Sequence, residues 1–191
     1  MSIFGGASSS EPVETGVAEL RPPPTRRSPE LSVGKIYALT FTDVDGNTLS
    51  TADGHVSVIV VATLPNIDKA RTVGDRVPDY CLGNPTYRMI TIVNFRKKRI
   101  RPARVILAAL VRHRLDAEAQ RLQLRYSEKK IARNPRRDVF AVADLDGEAI
   151  GQLGARPEGV DFRVFVFGRN GELLRKWSSV PGAKELAAVV K

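Results

Sequence analysis

The sequence predicts an α/β protein: a mixed β-sheet opened by an N-terminal hairpin and flanked by helices on both faces. Three observations lead there. The run HVSVIVVATL, from His55, is dominated by β-branched residues with almost no polar break, the texture of a central strand covered on both sides. Strand-like runs then alternate with helical ones, which implies a parallel core. Towards the end, DFRVFVFGRNGELLRKWSS gives two strands joined at Arg-Asn-Gly, a hairpin signal that adds an antiparallel edge.

Taken in order, residues 1–33 are rich in Ser, Pro, Gly and Glu and include RPPPTRRSPE, so they read as a flexible leader with little to bury. The domain is expected over 34–191. It begins with GKIYALTFTDVDGNTLS, two short strand-like runs about an Asp-Gly turn. After HVSVIVVATL, residues 66–80 suit a helix interrupted near Gly74. YRMITIVNF is a second buried strand. RPARVILAALVRHRLDAEAQRLQLRY reads as a long helix starting near Pro102, a residue tolerated in a first turn. DVFAVADLDGEAIGQLG supplies a strand, an Asp-Gly turn and a short apolar run, and PGAKELAAVVK closes the chain as an amphipathic helix.

At 191 residues with 42% hydrophobic content, the chain suits one packed domain. No apolar run approaches the roughly 20 residues of a bilayer-spanning helix. The opening MSIFGGASSSEPVETG has neither basic head nor long apolar stretch, so a cytoplasmic protein is expected. A longer natural N-terminus would leave an exported or anchored form open. The single cysteine, Cys81, can form no disulfide within the chain. His55 and His113 lie far apart without metal-ligand spacing, and the pairs Asp43/Asp45 and Asp144/Asp146 sit in D-x-D-G, a turn signal. Neither metal nor cofactor is expected.

The element order, with GKIYALTFTDVDGNTLS at its start, VSVIVVAT in its centre and VFVFGRNGELLRKWSSVPGAKELAAVV at its end, resembles the thioredoxin-like superfamily, in its peroxiredoxin and thiol–disulfide oxidoreductase branch. The resemblance covers Gly34 to Lys191. It implies that Ala62-Thr63 should be followed by Trp-Cys-x-x-Cys, with the first thiolate stabilised by the start of a helix. Here Leu64 stands at the Trp, Pro65 at the nucleophile and Asp68 at the resolving cysteine. The peroxiredoxin spacing from Thr63 reaches Asn66, again not a thiol. The family's cis-proline falls at Phe162, with Pro157 too early. Thr63, Leu64, Pro65, Asn66 and Asp68 are therefore a vestigial redox loop. The expectation is a redox-inactive binding or regulatory module. The rival is a thiol-dependent oxidoreductase or peroxidase-like enzyme using Cys81 as its reactive thiol.

Charge is unevenly spread. Residues 96–137 hold fifteen Lys/Arg against three acids, a net of +12, whereas the rest of the chain, with fifteen basic and eighteen acidic residues, stands at −3. Candidate anion-binding residues are Arg96, Lys97, Lys98, Arg99, Arg101 and Arg104 on one side of the long helix. On the other are Lys129, Lys130, Arg133, Arg136 and Arg137. Clustered cations attract a polyanion such as nucleic acid or an anionic membrane surface, or an acidic protein partner. The same charges also suit a solvated helix face.

Overall fold

The computed structural model describes residues 29–95 and 103–191; residues 1–28 and 96–102 lie outside the described residues. The strands are β1 (Thr40–Thr42), β2 (Thr48–Ser50), β3 (Val56–Thr63), β4 (Tyr87–Asn94), β5 (Val139–Asp144), β6 (Phe162–Phe167) and β7 (Leu173–Trp177). The helices are α1 (Ile67–Arg76), α2 (Ala103–Glu128), α3 (Glu148–Gln152) and α4 (Ala183–Val189). β1 and β2 form a hairpin, and the other five strands form a sheet in the order β5-β4-β3-β6-β7. β3, β4 and β5 are parallel, while β6 and β7 complete the sheet antiparallel. This is the mixed α/β architecture expected, with its directions and its closing hairpin consistent with a thioredoxin-like fold.

Every residue of β3 is buried, because it is hydrogen-bonded on both edges and covered on both faces. Its alternation sorts the core. Val56, Val58, Val60 and Ala62 pack with Ala70 and Val73 of α1 and Leu186 of α4. Val93 and Ala141, which share that face by register, pack with Leu107, Val111 and Leu115 of α2. Ile59 and Val61 point the other way, towards Phe41 and Leu49 of the hairpin and Ile150 of α3. Two successive parallel crossovers moving in one direction place α1 and α2 on one face, as a right-handed connection requires.

Two sequence expectations change in detail. The helix over 66–80 ends at Arg76, and a separate 3-10 turn covers Asp79–Cys81. Pro78 accounts for the break, since the residue before a proline is driven out of helical geometry, and Val77 is extended. The apolar run after Asp146-Gly147, to which the sequence assigns no conformation, is the short helix α3, with Gly147 left-handed at its N-cap. Within the stretch assigned to the leader, residues 29–31 pack on the sheet. Leu31 is 5% exposed. Lys176 Nζ donates to Glu30 Oε1 at 2.7 Å and to the Leu31 carbonyl at 3.0 Å. Gly154, at φ 69°, lies so close that a Cβ would come 2.6 Å from the Pro29 carbonyl oxygen.

The hairpin is fastened to the sheet by a buried charge. Arg88 of β4, 8% exposed, donates through Nη1 and Nη2 to Asp53 at 2.8 Å each, through Nε to Ser57 Oγ at 3.0 Å, and to the Ser50 carbonyl. Burial alone would raise the Asp53 carboxyl, but hydrogen bonds from His55 and Arg88 outweigh it and hold the group below its ordinary value. The bidentate geometry is one that a lysine cannot reproduce. Arg88→Met should therefore cost about 1–3 kcal/mol of stability in urea unfolding. Arg88→Lys should recover only part of it.

Candidate functional site

In open α/β sheets the crevice beyond the carboxyl ends of the strands, where the strand order reverses, is where ligands bind. Here that point is the end of β3, which has β4 on one side and β6 on the other. The last residues of the three parallel strands, Thr63, Asn94 and Asp144, are in register and buried, forming a polar row across this edge. Each is committed to holding a neighbouring loop. The Thr63 N–H donates to the Asp161 carbonyl at 3.1 Å. Asn94 Nδ2 donates to the carbonyls of Pro157 at 2.7 Å and Val160 at 3.1 Å. Asp144 accepts from the N–H groups of Gly147, Ala149 and Ile150 and so fixes the start of α3. Burial pushes the Asp144 carboxyl above its ordinary value against the pull of those donors. Its D-x-D-G context marks Asp144 as a turn residue, while nothing marks Asn94 beyond being a lone polar residue that closes an apolar run, a signal the two share.

The predicted redox loop stands at this edge. Leu64–Asn66 form a 3-10 turn entered from extended Thr63, with Pro65 in its first positions, and α1 starts directly after it. Asn66 Nδ2 donates to Thr63 Oγ1 at 3.2 Å, closing the turn on itself. Pro65 and Asp68 are exposed. Asp68 lies in the first turn of α1, where the helix dipole favours negative charge, and Arg71 Nη1 lies 3.3 Å from its Oδ1. Phe162 begins β6, Pro157 opens a 3-10 turn, and no peptide bond among the described residues is cis.

Cys81 is elsewhere. It ends the Asp79–Cys81 turn beyond α1, is 7% exposed, and packs in the apolar cluster with Val56, Val58 and Val73. Burial pushes its thiol up to about 11, far from the range of a nucleophilic cysteine.

The basic segment divides. Arg96, Lys97, Lys98, Arg99 and Arg101 lie outside the described residues, and Arg104 stands in the first turn of α2. In the second half, Lys129 Nζ is 2.6 Å from Asp79, Arg133 is 2.6 Å from Asp138, and Arg136 reaches both Asp45 and Asp116 at 2.5 and 2.7 Å. Among the described residues, Lys130 and Arg137 have no ion-pair partner. Within α2, Arg112 pairs with Asp45, Arg121 with Asp75 and Arg125 with Asp79. Much of the described segment therefore ties α2 to acidic residues of the domain. None of the described helices is long and apolar enough to cross a membrane.

No family model matches this chain, and no curated protein does. Similar solved structures include the exposed lipoprotein thioredoxin Etrx1 of Streptococcus pneumoniae, 10% identical, covering 81% of this chain and 98% of its own, with a TM-score of 0.48. StoA of Bacillus subtilis is 11% identical, with coverage of 83% and 99% and a TM-score of 0.47. A DsbF homologue of Corynebacterium diphtheriae is 14% identical, with 86% coverage of each chain and a TM-score of 0.48.

The ion pairs make stability depend on acid. A hydrogen bond from Lys129, with Arg125 beside it, holds Asp79 below its ordinary value. Burial would raise Asp45, but the hydrogen bonds and charges of Arg136 and Arg112 outweigh it and lower the group. Folded values below unfolded ones mean stabilisation present in full above the usual carboxylate range and lost as pH falls through it. Urea midpoints should accordingly drop on acidification below about pH 4. The drop should be shallower in Asp45→Asn, which should also be less stable than wild type at neutral pH; superimposable curves would contradict the assignment.

Proposed function

We propose that this chain is a thioredoxin-like domain that acts by binding, as an interaction or regulatory module, and has no thiol–disulfide chemistry of its own. The observation that carries the reading is the occupancy of one position. At the start of α1, where such a fold would present its thiols, the chain has Pro65 and Asp68, and its only cysteine is buried in a different part of the core. Proline carries no nucleophile, and a carboxylate cannot close a disulfide. Burial of Cys81 also speaks against an enzyme working through that thiol.

Pro65 at the tip of the turn is exposed at the place where an α/β sheet receives ligands, which favours a surface kept for recognition. Pro65 stiffens it, and Asp68 with Lys69 beside it gives it charge. A polyanion or acidic partner at the basic segment is a second element of the proposal, carried by Lys130 and Arg137 among the described cations of its second half. The segment's ion pairs restrict that role to the charges left over.

The direct test is reduction of insulin disulfides with dithiothreitol as electron donor. Wild type should match the uncatalysed background. The double variant Pro65→Cys with Asp68→Cys should exceed it, because the paired thiols would then stand at the start of α1. Turnover by the wild-type chain would overturn the proposal.

A further inference from the structure

We infer that the space enclosed by α1, α2 and the sheet is a binding site for a small amphipathic monocarboxylate, with the apolar tail inside and the carboxylate on Arg114. A cavity of about 200 Å³ lies there. Its walls come from Val58 and Met89 of the sheet, Ala70 and Gly74 of α1, and Leu115 and Leu122 of α2. The origin of the space is visible in the residues. Along its α1 wall the space meets Ala70 and Gly74, which carry little or no side chain to fill it. The helices are joined instead at the rim by long ion pairs, Arg71 Nε to Glu118 Oε2 at 3.1 Å and Arg121 to Asp75.

The interior suits an apolar occupant. Among the described residues no buried side-chain nitrogen or oxygen lacks a partner, so the walls present no unsatisfied side-chain group to anchor water. An apolar cavity of roughly 150 Å³ is enough to take up benzene. The larger volume here accepts a folded alkyl chain or a phenyl ring with a short tail.

The rim suits an acid. The charged side chains around the cavity pair off with one exception. Arg71 is held by Glu118 and Asp68, Asp138 by Arg133 and the Tyr126 hydroxyl, and Arg88 by Asp53. Arg114, exposed and lining the cavity, makes no ion pair among the described residues. A guanidinium presents two parallel donors to a carboxylate. The charge to be matched is one, and Glu118, a turn further along α2, opposes a dianion. A monocarboxylate meets both conditions. The site lies behind the Leu64–Asn66 turn, with Leu64 and Ile67 in its wall, and does not depend on what that turn recognises.

The test is titration of the isotope-labelled full chain with decanoate, decanol and acetate, each below its aggregation limit, followed by amide chemical shifts. Decanoate should bind saturably, with shifts concentrated in α1, α2 and β4; decanol should bind more weakly, and acetate should not bind. Arg114→Gln should weaken decanoate about tenfold and leave decanol unchanged. Gly74→Leu and Leu122→Trp each fill the space from a different helix, and whichever of them folds should lose both long-chain ligands. Absence of saturable decanoate binding to wild type would overturn the inference. So would undiminished binding in a folded filling variant, or an Arg114→Gln variant that binds decanoate as wild type does.

Discussion

The fold depends on one strand. β3 is paired on one edge to parallel β4 and on the other to antiparallel β6, and its two faces carry the two halves of the core. A strand in that position has no exposed side on which to place a polar residue, which is why it reads as VSVIVVAT. Its single interior hydroxyl, Ser57, accepts from Arg88. Fixing β3 fixes the point where the chain leaves the sheet at Thr63, and with it the turn that opens α1. What stands in that turn does not bear on the strand's packing, because Pro65 and Asp68 face solvent and contribute nothing to the core. The residues of the turn and those of the core are thus physically separate sets, and a site is argued from the first and not from the fold.

The uneven charge has a structural side. The acidic surplus outside the basic segment includes Asp45, Asp75 and Asp79, and these are the residues that receive Arg112, Arg136, Arg121, Arg125 and Lys129. Part of each imbalance is met by the other in these pairs, which fasten α2 and the residues just after it to the rest of the domain. Each exposed pair contributes only about 0–1 kcal/mol. Two pairs, Arg71–Glu118 and Arg121–Asp75, join α1 to α2, between which the cavity lies.

Much of this was legible in the residues. HVSVIVVATL announces a buried strand by its β-branched run, and Arg-Asn-Gly announces the hairpin that Gly171, at φ 84°, then makes. Asp43 is a turn residue as its D-x-D-G context implies, accepting from the Asp45 and Asn47 N–H groups. Asp144, in the same context, instead starts a helix, because the turn that follows is continued by Glu-Ala-Ile rather than by a strand-forming run. Partners of the basic residues could not be read, since the contacts join Arg112 to Asp45 and Arg121 to Asp75 across tens of residues of sequence. The cavity was hidden for a related reason: Ala70 and Gly74 are unremarkable singly and matter only because the fold sets them opposite Leu115 and Leu122 in one lining.

The central claim, that this fold operates without a reactive thiol, is tested most directly by the alkylation rate of Cys81 in the native chain as a function of pH. With the thiol buried and its ionisation pushed up to about 11, the iodoacetamide rate should stay far below that of a free thiol across neutral pH. It should rise only in strongly alkaline solution or on unfolding. A native-state rate that is fast at neutral pH, with an inflection at or below about 8, would show an accessible thiolate and contradict the account.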